Sequence, residues 1–221
     1  MAGGLILMGV LGFFLSVPAA MILHGVAQTA SNGSRIILHR RHLRWNVFVP
    51  YTVGSLVTLA FFVGVTLVPN KAVIFIVIGS FPFLGLLIPS NINLDIEKKP
   101  IALLCGIIVT AVQLLAGASG PVLDIFYVKS KLNRFEILGT KAITQTLGHV
   151  LKLLYYAFFL NLTIDLPSWL FPAVVAAAIF GNWIGKMIIQ HLNDEAFKKA
   201  GRSTILVIGI IYICKGIAEL L

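Results

Sequence analysis

Two stretches of the chain carry the same pattern of polar residues, and these residue types could bind an anion. The first stripe runs from His24 to Arg35 and the second stripe from Lys141 to Lys152, and they align without gaps at a constant offset of 117 residues, since residue 141 matches residue 24. Each stripe lies in an otherwise hydrophobic segment, where polar side chains are costly and usually functional. Two copies predict an internal repeat, from which many transporters are built.

The chemistry of the stripes is that of hydrogen-bond donors and cations. Each residue of an α-helix turns by about 100°, so that four polar side chains of each stripe share one narrow face. Neither stripe contains a carboxylate. This set suits a small anion with several oxygen atoms, such as sulfite, a sulfonate or a carboxylate, whereas a metal ion would require acidic or clustered His and Cys ligands. We predict no metal site, and a substrate-binding set of His24, Gln28, Asn32, Arg35, Lys141, Gln145, His149 and Lys152.

These residues also have simpler interpretations. The amides and hydroxyls could join helices through interhelical hydrogen bonds. Arg35 and Lys152, at the stripe ends, could extend to the membrane surface. Either histidine alone could be a hydrogen-bonded core residue. The alignment of both stripes at a single offset favours the binding interpretation over these alternatives.

The composition predicts an all-α, polytopic membrane protein. Of the 221 residues, 58% are hydrophobic and only 11% are charged, whereas soluble domains contain about 25% charged residues. Because a span needs about 20 apolar residues, the apolar segments predict about seven spans and one broken, re-entrant helix. The net charge of +9 lies in loops, so it indicates cytoplasmic loops and not a nucleic-acid partner. The predicted apolar segments are 3–14, 18–38, 47–68, 72–89, 100–116, 122–128, 135–160, 167–190 and 203–220.

Residues 117–121, with the sequence Gly-Ala-Ser-Gly-Pro, predict a break in a helix inside the membrane. Glycines permit an unwound turn, and proline suits the first turn of the next helix. Backbone N–H groups at the start of a half-helix attract anions. Ser119 and Gly120 therefore join the predicted binding set, and Ala2-Gly3-Gly4 would be their equivalent in the first copy.

Loop charges select the topology. The basic groups at 35–44, 98–99, 129–134 and 198–202 all fall on the cytoplasmic side if the break is a hairpin, and the loops at 69–71 and 161–168 fall outside. The two stripe helices then run in opposite directions, as in inverted repeats with a binding site near the membrane midplane. We predict a first repeat at 1–99 and a second at 100–221. The second repeat has a leading helix, at 100–116, that the first one lacks.

The acidic residues nearest to the stripes are Asp124 and Glu136. Either could carry a proton that couples transport to a gradient. Either could instead pair with Lys129 or Arg134, and the pairing is the interpretation that we favour.

The two stripes and the 117–121 break together resemble the TauE/SafE sulfite exporter family of membrane permeases. The matching runs are His24-Gly25, Gln28 to Gly33, Arg35, Thr140 to Ala142, Gln145, His149 and Lys152. This resemblance covers most of the chain. It implies a two-repeat helical bundle that moves sulfur-containing anions or related carboxylates across the plasma membrane of a prokaryote.

Two other classes of function remain open at this level. Residues 117–120 match the GxSG pattern of rhomboid-type intramembrane serine proteases, in which Ser119 would be the nucleophile and His149 the base. A membrane scaffold or a receptor without transport activity is the third interpretation. The sequence carries no cofactor signature, and it lacks the phosphate-binding loop that direct use of ATP would require.

Overall fold

The structure, a computed structural model, describes residues 3–87, 94–160, 166–189 and 194–221. Within these ranges the chain forms nine α-helices and no strands. A 3₁₀ turn at Arg40–His42 follows α2, and a π-helical turn at Tyr155–Phe159 extends α7. The α-helices are α1 Gly3–Phe14, α2 Val17–His39, α3 Trp45–Val65, α4 Lys71–Leu87, α5 Lys99–Ala116, α6 Gly120–Tyr127, α7 Arg134–Leu154, α8 Leu170–Ile189 and α9 Asp194–Ala218.

The helical character agrees with the sequence, and α3 and α5 are each long and apolar enough to cross a membrane. Many large apolar side chains point outward, including Phe61 and Trp183, as expected for a surface in contact with lipid. The start of α9 differs from our prediction. This helix begins at Asp194 and not near residue 203, because Glu, Ala and Lys residues favour a helix although the segment before 203 is rich in charged residues. Ala2 lies outside the described residues. The predicted loops at 91–99 and 161–168 lie partly outside them.

The two stripe helices, α2 and α7, pack against each other and run antiparallel. Gly25 in α2 lies against the side chain of Leu153 near the end of α7. At the other end of the pair, Gly139 near the start of α7 lies against the backbone of His39. α4 and α9 form a second antiparallel pair, in which Gly79 faces Gly209 and Gly216 faces the Ala72 backbone.

A close crossing joins α3 to α5. A Cβ atom placed on Gly106 would overlap the carbonyl oxygen of Tyr51, and one placed on Gly54 would overlap that of Leu103. The Thr58 hydroxyl donates a hydrogen bond across the crossing to the carbonyl oxygen of Ile107 at 3.2 Å. Small residues allow membrane helices to approach closely, and this contact fixes α5 on α3.

The predicted break lies between α5 and α6. α5 ends at Gly117, whose φ of 75° is favourable only for a residue without a side chain, and α6 begins at Gly120. The backbone N–H of Ile96, just before α5, donates to the carbonyl oxygen of Phe126 near the end of α6 at 3.2 Å. The chain therefore comes back, at the end of α6, to the residues that precede α5.

Candidate functional site

A cavity of about 410 Å³ lies between α1, α2, α6, α7 and α8. Its wall includes both stripes and the start of α6. Arg35 is exposed to solvent, whereas His24, Asn32, Lys141 and His149 are buried. The predicted binding residues that border the cavity are His24, Gln28, Asn32, Arg35, Ser119, Gly120, Lys141, Gln145 and His149.

Lys152 is the predicted binding residue that does not border the cavity. It is fully buried behind the histidines, and its Nζ lies 2.8 Å from His24 Nδ1 and 2.8 Å from the carbonyl oxygen of Gly117. Sequence reasoning treated it as the counterpart of Arg35, because the two align. The structure separates them, since Arg35 is near solvent and Lys152 is in the interior.

Each stripe places a glutamine beside a glycine in the first turn of a short helix. A Cβ atom added to Gly4 in α1 would lie 3.2 Å from the side-chain amide of Gln28. A Cβ atom added to Gly120 in α6 would lie 3.4 Å from Nε2 of Gln145. Two amide groups and the N–H groups of two helix starts therefore meet at the cavity wall, and this combination favours an anion.

Gln113, which sequence reasoning missed, connects the break to the second stripe. Its Nε2 donates to the carbonyl oxygen of Gly117 at 2.8 Å and to His149 Nδ1 at 3.0 Å. Its Oε1 accepts from the Ser119 hydroxyl at 2.5 Å. The sequence feature that could have indicated Gln113 is its amide side chain, which stands alone in the otherwise apolar segment that ends at the break.

For a neutral ring, the hydrogen bonds determine which nitrogen of each imidazole carries the proton. His24 Nε2 lies 2.7 Å from the carbonyl oxygen of Gly4, so Nε2 carries the proton and Nδ1 accepts from Lys152. His149 Nδ1 accepts from Gln113, so its proton is on Nε2. The two rings are 5.3 Å apart between centroids. His149 thus keeps an N–H donor on a ring that borders the cavity.

The two acidic candidates have separate environments. Asp124 borders the cavity and forms an ion pair with Lys141 of the second stripe. Glu136 caps the start of α7 by accepting from the backbone N–H of Asn133, and it pairs with Arg44 at 3.3 Å. The partners are therefore Lys141 and Arg44, and not the Lys129 and Arg134 that we had expected. Glu136 is not among the residues that line the cavity.

A comparison with protein families matches residues 1–212 to the family described as Sulfite exporter TauE/SafE. The chain belongs to the TauE/SafE family. Neither a curated protein nor a solved structure matches it. TauE/SafE proteins are integral membrane transporters, and membership indicates membrane transport for this chain.

The contacts of Ser119 agree with the transport assignment of the TauE/SafE family. A serine protease needs its nucleophile within hydrogen-bond reach of its base. Here the Ser119 hydroxyl donates to Gln113, and His149 also bonds to Gln113. The amide separates the two side chains, so the described contacts do not form the Ser119–His149 pair that the protease interpretation requires.

The cavity of this TauE/SafE protein has a further polar residue that sequence reasoning missed. Asn182 in α8 borders the cavity and donates to the carbonyl oxygen and the hydroxyl of Ser31 at 3.1 and 3.0 Å, and to the Ser34 hydroxyl at 3.3 Å. These bonds attach α8 to the first stripe. A lone amide in an apolar helix was again the only signal.

Proposed function

We propose that this protein is a secondary transporter that moves a small anion by alternating access. The substrate class is sulfite, an organosulfonate or a related carboxylate, and the location is the plasma membrane of a prokaryote. The observation that carries the proposal is the cavity whose wall combines both stripes with the start of α6. Its groups are donors and cations, apart from Asp124, whose charge Lys141 balances.

The anion would contact the cavity through three kinds of group. Arg35 supplies positive charge, whereas Lys141 balances the charge of Asp124. The Gln28 and Gln145 amides supply neutral donors, and His149 supplies its Nε2 proton. The hydroxyl of Ser119 and the backbone of Gly120 lie at the α6 start, where the helix dipole favours negative charge. Asn32 supports Gln28, because its Nδ2 donates to the Gln28 Oε1 at 3.5 Å. A tetrahedral or pyramidal oxyanion can accept from several of these donors together.

Two inverted repeats, at 1–99 and 100–221, account for the arrangement of helices. α1 and α6 begin at residues 3 and 120, and α2 and α7 begin at residues 17 and 134, so both pairs keep the offset of 117. The equivalent helices α2 and α7 pack on each other, and so do α4 and α9. In addition, α2 packs on α8, and α7 packs in the corresponding way on α3. A twofold axis produces such reciprocal contacts. The antiparallel direction of α2 and α7 supports an axis in the membrane plane.

Seven long helices, two short helices and a hairpin make up the proposed topology. The long helices α2 to α4 and α7 to α9 cross the membrane, α5 and the short α6 together form a hairpin that enters the membrane and returns, and α1 enters the membrane without crossing it. The backbone bond from Ile96 to Phe126 supports the hairpin of α5 and α6. Both ends of this hairpin then lie on the cytoplasmic side, together with the basic residues around Arg44 and Lys131.

Flux into proteoliposomes tests the function. Wild-type protein is reconstituted and challenged with sulfite, thiosulfate, ethanesulfonate and acetate, and both uptake and counterflow are measured, because a carrier supports counterflow and an open channel does not. We expect saturable counterflow of at least one of these anions. The variants Lys141→Met and His149→Ala should reduce it at least tenfold, as is usual for lost bonds to a charged group.

Lys215→Met is the matched control, because Lys215 pairs with Glu219 on α9 and is not among the residues that line the cavity. This variant should keep wild-type flux. If none of the four anions moves, the proposed function is wrong. If they move equally well in Lys141→Met and His149→Ala, the cavity between the stripes is not the binding site.

A further inference from the structure

A fully buried lysine without an acidic partner lies directly behind the cavity. Lys152 Nζ has two acceptors, His24 Nδ1 and the carbonyl oxygen of Gly117. Among the described residues, no carboxylate lies within ion-pair distance of this nitrogen. Burying an ammonium ion without a counter-charge is costly, so this position needs a physical explanation.

The number of hydrogen bonds distinguishes the two forms of the side chain. A neutral amine has two N–H groups and one lone pair, and an ammonium ion has three N–H groups. The two acceptors at Lys152 match the two N–H groups of an amine. A third N–H would have no acceptor among the described residues, and the added charge would need an anion nearby. An anion bound in the cavity would supply it.

We propose that Lys152 is the proton site that couples anion transport to a proton gradient, and that one proton moves with each anion in the same direction. This inference rests on the proposed function and adds the coupling ion to it. With the anion bound, the lone pair of the amine takes up a proton that originates in the water on the side to which the cavity is open. On the other side the anion leaves, and the ammonium ion returns the proton to water.

The position of Lys152 relative to the helix break supports this role. Gly117 ends α5, and its carbonyl oxygen lies at the negative end of the helix dipole, where a cation is favoured. Ser119 and Gly120 at the start of α6 favour the anion. Discontinuous helices in transporters commonly hold the coupling cation at an unwound carbonyl and the anionic group at a half-helix start. The single break between α5 and α6 provides both ends.

The other charged or titratable groups around Lys152 are already engaged. His24 comes from α2, and His149 lies one turn earlier on α7. From α6, Asp124 pairs with Lys141. The Tyr155 hydroxyl, just after α7, donates to the carbonyl oxygens of Phe62 in α3 and of Leu67. The Tyr156 hydroxyl donates to the carbonyl oxygen of Leu114 in α5. α1 contributes only the Gly4 carbonyl, which His24 occupies. Lys152 is therefore the cluster's remaining base with a lone pair to offer.

Proton movement and anion movement are measured together in proteoliposomes that contain a pH-sensitive dye. Ethanesulfonate is the probe, because it stays anionic throughout the neutral pH range. It cannot carry a proton across the membrane itself, so any proton that enters must be carried by the protein. Wild-type uptake should acidify the interior by one proton per anion. Lys152→Met, which carries no charge, should still exchange labelled ethanesulfonate, with an affinity lowered about tenfold. Lys152→Arg, whose charge is permanent, should exchange it without that loss, and neither variant should acidify the interior. Lys215→Met should acidify like wild type.

Alkalinisation during uptake, uptake without any pH change, or acidification by Lys152→Arg would each overturn the proton site. A second measurement does not depend on transport. In protein labelled with ¹⁵N at the lysine Nζ, the Lys152 resonance, assigned with Lys152→Arg, should be that of an amine in anion-free bilayers at neutral pH. An ammonium signal there refutes the proposal. If no anion of the panel is transported, the proposed function fails, and this resonance still decides the state of Lys152.

Discussion

The ion pair of Lys141 and Asp124 gives a prediction in which two single substitutions act in opposite directions. In the wild type the two charges cancel at the cavity wall. Lys141→Met leaves the carboxylate without its cation and should weaken anion binding. Asp124→Asn leaves the ammonium ion without its carboxylate and should strengthen binding. The double variant removes both charges and should bind nearly as the wild type does.

The size of each effect follows from the distance and the exposure of the charges. At an effective dielectric constant of about 20, a unit charge about 6 Å from an anion contributes about 3 kcal/mol. The Asp124 side chain is 37% exposed, and solvent screening reduces the contribution to about half of that value. We therefore expect about tenfold weaker binding for Lys141→Met and about tenfold tighter binding for Asp124→Asn.

Isothermal titration with ethanesulfonate measures the four affinities, because the charge of this ligand is constant near neutral pH. Lys215→Met and Glu219→Gln form the matched control cycle, since this ion pair lies at the C-terminal end of α9 and its residues do not line the cavity. Weaker binding in both Lys141→Met and Asp124→Asn would refute the electrostatic reasoning. It would mean that the pair holds α6 on α7 and affects the anion only through structure.

Three further predictions concern packing, helix capping and the amide donors. Gly106→Val should separate α3 from α5 and destabilise the protein by about 1–3 kcal/mol, which is measured as a lower melting temperature in detergent. Gly64 faces open space, so Gly64→Val should change the melting temperature much less. Asn133→Ala removes the side-chain half of the α7 capping box and should cost about 1 kcal/mol in the same assay without altering ethanesulfonate affinity. Gln28→Ala and Gln145→Ala should each raise the half-saturating ethanesulfonate concentration about tenfold in counterflow; unchanged values would exclude the amides as ligands.

Most residues that the sequence singled out for binding line the cavity, because a polar side chain in an apolar membrane helix must face the protein interior and not lipid. The helical period placed Gln28 and Asn32 on one face, and the offset between the stripes placed Gln145 and His149 on the other. The depth of each residue was beyond this reasoning. Lys152 is buried and Arg35 is exposed although they align, because depth is set by neighbouring helices.

Gln113 and Asn182 show what a search for repeated patterns leaves out. Each is a single amide, without a counterpart at the offset of 117 residues, in a helix that is otherwise apolar. Both engage the stripes through tertiary hydrogen bonds that join residues far apart in the sequence. The start of α9 was missed for a different reason. Hydropathy identifies buried segments, and it does not detect a polar extension of a helix beyond them.

The antiparallel packing of α2 and α7 has a consequence for the direction of transport. One end of this pair carries His24 with Lys152, and the opposite end carries Arg35 with Lys141. Each half of the pair thus contains one basic residue from each helix, so that the arrangement of charge favours neither side of the membrane. We expect the carrier to work equally well in both orientations, and the concentrations of solutes on the two sides will then decide whether a cell imports or exports.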